Sequence, residues 1–198
     1  MFKDPIHWFP SLAFSNLLAI LVLGSYLVDY IVPKAISSRT IGQVTSNRDK
    51  GSFFVIQAAG ILAVIAAVGC RYLSWAVTPG WVQWEGLAVG VMGITFREWA
   101  VITLGRYFSR IVEIEPDHRL VTKGPYRWIR HPAYTGMILF DIGVALALGS
   151  WIGSFLAAAL IGTATLYRIS IEEWVLAESF GTEYEKYAHR TWRLFPGW

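Results

Sequence analysis

A chain of 198 residues that is 55% hydrophobic and only 16% charged suits one domain, and its composition is one that soluble globular domains seldom reach. The formal charge of +3 is modest and gives no reason to expect a nucleic-acid partner, while ten Trp and nine Tyr fit a protein whose aromatic rings sit at a bilayer interface. Cys70 is the one cysteine, which excludes an intramolecular disulfide and any multi-cysteine metal site and leaves it as a small buried hydrophobe.

The opening "MFKDPIHWFPS" lacks the features of a signal peptide, so the first apolar run is expected to stay in the mature protein. No C-a-a-X box is present, and the chain is not expected to be a prenylation target itself. Apolar runs over residues 12–32, 53–70 and 81–104 each approach the ~20 residues of a spanning helix. The next apolar region, 133–167, carries only Asp141 as a charge and is too long for one helix. "LGSWIG", residues 148–153, offers a tight turn in its middle, which predicts a helical hairpin that crosses and returns. The expectation is an all-α integral membrane protein of about five transmembrane helices, forming a single domain over residues 1–198. Residues 1–104 hold three membrane helices, and residues 105–198 hold the catalytic and cofactor-binding part with the hairpin 133–167.

Lys and Arg cluster in three segments, with four between Pro33 and Gly51, six between Gly105 and Pro132 and four from Arg168 onward. In a five-helix topology all three fall on one side. The positive-inside rule makes that side cytoplasmic and places the N-terminus outside. The two long polar segments then meet at the open end of the hairpin, where a soluble cofactor is expected to bind.

The first constellation is "DHRLVTKGPYRWIRHPAYTG". Gly124 and Pro125 mark a turn, and Pro132 suits the first position of a helix whose free N-H groups can hold an anion. Taken singly, Arg127 and Arg130 read as partners of lipid phosphates, and His118 and His131 as hydrogen-bonding residues. The second constellation is "YRISIEEWVLAESFGTEYEKYAHRTWRLFPGW". Arg168 and Glu172 are four apart and share a helix face, Glu173 points ~100° away, and Gly181 ends the helix before an amphipathic segment with Tyr184 and Tyr187. Within the third run one of Arg97 and Glu98 is expected to face the bundle interior or a polar cavity, and Asp141 is open to a functional or a hydrogen-bonded structural role. The glycines of "GLAVGVMG" suit close helix packing rather than a phosphate loop. The four histidines lack metal-ligand spacing, so no metal is expected.

Taken together, "HRLVTKGPYRWIRHPAYTG" and "RISIEEWVLAESFGTEYEKY", about thirty apolar residues apart, resemble the isoprenylcysteine carboxyl methyltransferase family within a wider phospholipid methyltransferase-like superfamily. These are integral membrane enzymes that use S-adenosylmethionine, and the resemblance covers residues 111–187. It implies cofactor contacts at His118, Arg119, Leu120 and Val121, at Tyr126, and at His131, Pro132, Ala133 and Tyr134. It implies a further cofactor contact at Glu172 and a substrate-carboxylate contact at Arg168, the two residues expected to carry catalysis. Pro125 and Ile111 depart from the eukaryotic pattern, the latter replacing a polar side chain that contacts cofactor there. The implied partners are the bilayer and an isoprenylated cysteine or similar lipid-linked acid. The alternatives are a phospholipid amine N-methyltransferase on the same scaffold, an integral-membrane reductase, for which no dinucleotide fingerprint is present, and a non-enzymatic lipid-binding protein.

Overall fold

The computed structural model describes residues 9–36, 49–109 and 119–197. Among them the protein is all-helical. The order is α1 (Leu12–Ile36), α2 (Ser52–Tyr72), α3 (Gly80–Leu104), α4 (Pro132–Ala147), α5 (Trp151–Phe180) and α6 (Thr182–Ala188), with short 3-10 turns at Gly105–Tyr107 and Gly124–Arg127. Three helices start where the local chemistry favours it. Ser11 accepts the Phe14 N-H at the head of α1, Pro132 occupies the first turn of α4, and the Ser150 side chain accepts the Gly153 N-H at the head of α5. Gly149 and Gly181, both at positive φ, bound α5 on either side.

Helices α2, α3 and α5 are long and apolar enough to cross a membrane. Two shorter apolar helical stretches accompany them, Leu12–Val28 and Pro132–Ala147. Their outward surfaces are greasy. Ile20 and Leu23 on α1, Ile61 and Ile65 on α2 and Phe155 on α5 are all well exposed, an arrangement that lipid rather than water stabilises.

The turn at residues 148–150 falls within the predicted stretch, but α4 and α5 do not rely mainly on each other. α4 packs chiefly on α3 and α5 chiefly on α2. The reason lies in the small residues. Gly86, Gly90 and Gly93 of α3 face Gly136 and Gly143 of α4 so closely that a Cβ at Gly93 would run into the backbone at Phe140, and one at Gly136 into the backbone of Arg97. The α2–α5 contact uses alanines at every fourth residue, Ala59, Ala63 and Ala67, against Ala157, Ile161 and Ala164, with Gly153 set against the backbone of Ala67. The glycines of "GLAVGVMG" are therefore a packing seam, as expected.

α5 runs thirteen residues beyond Tyr167 as one unbroken helix. Thirty residues at 1.5 Å each make it ~45 Å long against a hydrocarbon thickness of ~30 Å, so one end stands clear of the apolar layer. That end carries Arg168, Glu172 and Glu173 and meets the segment 119–131, α6 and the C-terminal tail.

Candidate active site

The segment before α4 is stiff for identifiable reasons. Gly124 takes φ +57 and lies against Thr103, where a Cβ would sit 3.0 Å from the threonine side chain. Pro125 follows in the 3-10 turn. The C-terminal tail then closes over the segment. Arg130 and His131 donate their backbone N-H groups to the carbonyls of Trp192 and Arg193 at 2.7 and 3.2 Å, the Trp192 N-H returns to the Trp128 carbonyl at 2.9 Å, and the Thr135 hydroxyl donates to the Leu194 carbonyl at 2.6 Å. Arg130, read from the sequence as a lipid-phosphate partner, instead turns inward. Its Nη1 donates to the carbonyls of Ala188 and Thr191, both at 2.6 Å, and its Nε to Glu173 at 3.2 Å. Arg127 remains exposed.

His131 begins α4 without capping it with its side chain, which leaves the buried ring between two carboxylates. Nε2 lies 3.2 Å from Glu173 Oε1, and Nδ1 lies 3.8 Å from Glu172 Oε2. Glu173 also receives Arg193, so it joins α5, the loop and the tail, while Glu172 faces the cavity. Arg168, 4% exposed, donates Nε to the Tyr134 hydroxyl at 2.8 Å, and Nη1 to Asp49 Oδ1 at 3.1 Å and the Ser52 hydroxyl at 2.9 Å.

These elements enclose a cavity of about 380 Å³. Of the residues expected from the sequence, Leu120, Val121, Tyr126, His131, Ala133, Tyr134, Arg168 and Glu172 line it. Arg119 is exposed and does not, and Pro132 is buried behind it, where its ring starts α4. His118 and Ile111 lie outside the described residues. The sequence reading did not assign lining roles to Tyr26 and Tyr30 of α1, Phe53, Ile56 and Gln57 of α2, or Tyr184 and Tyr187 of α6. The 26/30 spacing puts two tyrosines on one helix face and was the available signal. Arg97 lines the cavity too, which answers which of the adjacent pair Arg97 and Glu98 faces it.

The aromatic wall is polar at chosen points. Burial, and next the carboxylate of Glu172, push the Tyr126 hydroxyl well above its ordinary range; burial also raises Tyr184 and Tyr187, so all three remain neutral donors at physiological pH. The Tyr187 hydroxyl donates to the Tyr126 carbonyl at 2.8 Å. Among the described residues the buried Tyr184 hydroxyl makes no hydrogen bond, and Glu172 Oε2 has the His131 ring near it at 3.8 Å but no hydrogen bond of ordinary length. Two such groups lost to water cost stability unless a ligand meets them, and a carboxylate oxygen beside a cavity suits a cationic or N-H-bearing one.

Residues 86–178 match the model of the isoprenylcysteine carboxyl methyltransferase (ICMT) family, which bears out the resemblance carried by the two motifs. A probable protein-S-isoprenylcysteine O-methyltransferase of Oryza sativa subsp. indica is 34% identical over 117 residues, covering 58% of this chain and 61% of that protein. Protein-S-isoprenylcysteine O-methyltransferase B of Arabidopsis thaliana is 35% identical over 112 residues, 56% of this chain and 57% of the relative. The Homo sapiens enzyme is 35% identical over 112 residues, 39% of its length. The matches thus span about three fifths or less of these relatives. Among solved structures, the eukaryotic intramembrane Ras methyltransferase ICMT aligns with a TM-score of 0.61 at 24% identity, over 98% of this chain and 68% of that one, a likeness of fold.

Proposed function

Because residues 86–178 carry the isoprenylcysteine carboxyl methyltransferase pattern and their polar ends converge on one cavity, we propose that this chain methylates the carboxylate of an isoprenylated cysteine or similar lipid-linked acid. The observation that carries the reading is Arg168 lining a cavity shared with His131, Tyr126 and Glu172, which sets a cation suited to a carboxylate in the same space as a wall suited to a methyl donor. In this reading α1 and α4 cross the bilayer with α2, α3 and α5. The cavity then opens on the cytoplasmic face, with the N-terminus outside.

The residues present fit S-adenosylmethionine. The Tyr184 hydroxyl is a buried donor without a hydrogen bond among the described residues, Glu172 presents a carboxylate to the cavity, and the neutral tyrosines with Leu120, Val121 and Ala133 supply polar and apolar wall for a nucleoside with an amino-acid tail. The resemblance adds donor contacts at His118, Arg119 and Pro132. When bound, S-adenosylmethionine supplies an activated methyl on a sulfonium, transferred to the attacking carboxylate oxygen while sulfur keeps the C-S electron pair. No proton moves and no general base is needed. The chain's own part is to orient and to exclude water. Arg168 holds the acceptor carboxylate by its fixed positive charge, its Nε and Nη1 being engaged by Tyr134, Asp49 and Ser52, and Glu172 meets positive charge on the donor side.

The direct test is transfer of labelled methyl from S-adenosylmethionine to a farnesylated cysteine acid by protein purified in mild detergent, followed by mild base. Base-labile label is expected. Label that survives base would replace this reading by phospholipid amine N-methylation, for which Glu172 is the better placed carboxylate because Glu173 already holds Arg130 and Arg193.

A further inference from the structure

Asp49 stands just ahead of α2, outside the segment that matches the family, yet it reaches Arg168 across 119 positions of sequence. It is 5% exposed. Oδ2 accepts the Phe53 N-H at 3.0 Å, which caps α2, while Oδ1 accepts the Ser52 hydroxyl and Arg168 Nη1, both at 3.1 Å. Ser52 in turn accepts Nη1 at 2.9 Å, and Tyr134 fixes Nε from the opposite side. The guanidinium that lines the cavity is therefore held by Tyr134 of α4, by Ser52 of α2 and by Asp49 just ahead of α2, whose carboxylate offsets part of its charge.

Resting on the functional reading above, we propose that Asp49 is a positioning residue that orients Arg168 and moderates its grip on the acceptor carboxylate. The physical reason follows from the reaction. The acceptor enters as an anion and leaves as a neutral ester, so negative charge on the carboxylate declines toward the transition state. A fully unopposed guanidinium would stabilise the entering anion more than the transition state and raise the barrier between them. A buried carboxylate beside Arg168 weakens that ground-state hold and keeps the guanidinium in place at the cavity wall.

Asp49→Asn isolates the charge, because an asparagine side-chain oxygen still accepts the Phe53 N-H and keeps the cap. Asp49→Gln is a second uncharged residue, with an amide oxygen of at least the same reach and the length of the Asp49→Glu control, and carries the same prediction should the first variant fold poorly. For either variant KM for a farnesylated cysteine acid is expected to fall about tenfold and kcat about threefold, since ground-state binding gains more than the transition state. The inhibition constant of the matching carboxamide, which brings no charge to Arg168, should stay within about twofold. Asp49→Glu, which restores the charge, should return KM and kcat toward the wild-type values. A rise in KM, or equal shifts for acid and carboxamide, would overturn the inference while leaving methyl transfer by the wild type intact. Wild-type protein that binds S-adenosylhomocysteine but neither binds nor methylates the acid would overturn this inference together with the functional reading.

Discussion

The seam between α3 and α4 and the polar end of α5 hold the same molecule together by opposite means. At the seam the contact depends on what the side chains lack, with Gly86, Gly90 and Gly93 bringing one backbone against the other at Gly136 and Gly143. At the polar end it depends on the reach of long charged side chains, with Arg130, Arg168 and Arg193 each bridging segments remote in sequence. The first arrangement is set by shape and indifferent to charge. The second tolerates changes in shape only where a charge and its partner survive together. The difference teaches where substitutions will read as folding and where they will read as chemistry.

The hardest break is at the seam. Gly93→Leu would thrust a branched side chain into the backbone at Phe140, and the expected loss exceeds the ~1–3 kcal/mol of ordinary overpacking because backbone cannot turn aside. Yield of monodisperse protein in detergent should collapse, and protein that purifies normally would refute the close contact. Next in size is Glu173→Gln, which removes the charge shared by Arg130, Arg193 and the His131 ring but keeps the side-chain volume. S-adenosylhomocysteine affinity is expected to fall on the order of tenfold, equivalent to ~1.4 kcal/mol, with a lowered melting temperature. Unchanged affinity would show that His131 is held without it. Tyr187→Phe deletes one bond to the Tyr126 carbonyl and should cost ~1 kcal/mol at most, seen as a few-fold weaker binding by calorimetry. The smallest effect belongs to Gly162, where a Cβ meets open space. Gly162→Ala should raise thermal stability by up to ~1 kcal/mol through helix propensity, a gain where Gly93→Leu gives a large loss.

Much of this was legible in the residues. Apolar runs located the helices, "LGSWIG" marked the turn that joins α4 to α5, and glycine spacing foretold a close contact. The two charged motifs named eight residues that line the cavity. What stayed hidden depends on partners far apart in the chain. Nothing local says that α4 prefers α3 to its neighbour α5, because glycine spacing shows that a helix can be approached closely without showing by which other helix. Arg130 reads as lipid-facing until the carbonyls of Ala188 and Thr191 are seen above it. Asp49 carries a helix-capping signal, and a cap gives no hint that the other carboxylate oxygen meets Arg168.

The proposed function divides labour within one cavity, assigning the donor to the loop, α4 and Glu172 and the acceptor to Arg168. Titration of S-adenosylhomocysteine into wild-type and Arg168→Ala protein, set beside methyl transfer by the same preparations, tests that division most directly. The prediction is affinity within about threefold of wild type and turnover lower by roughly a hundredfold or more, the scale expected when orientation of a reacting group is lost. Equal loss of affinity and turnover would contradict it, and would make Arg168 part of the donor site.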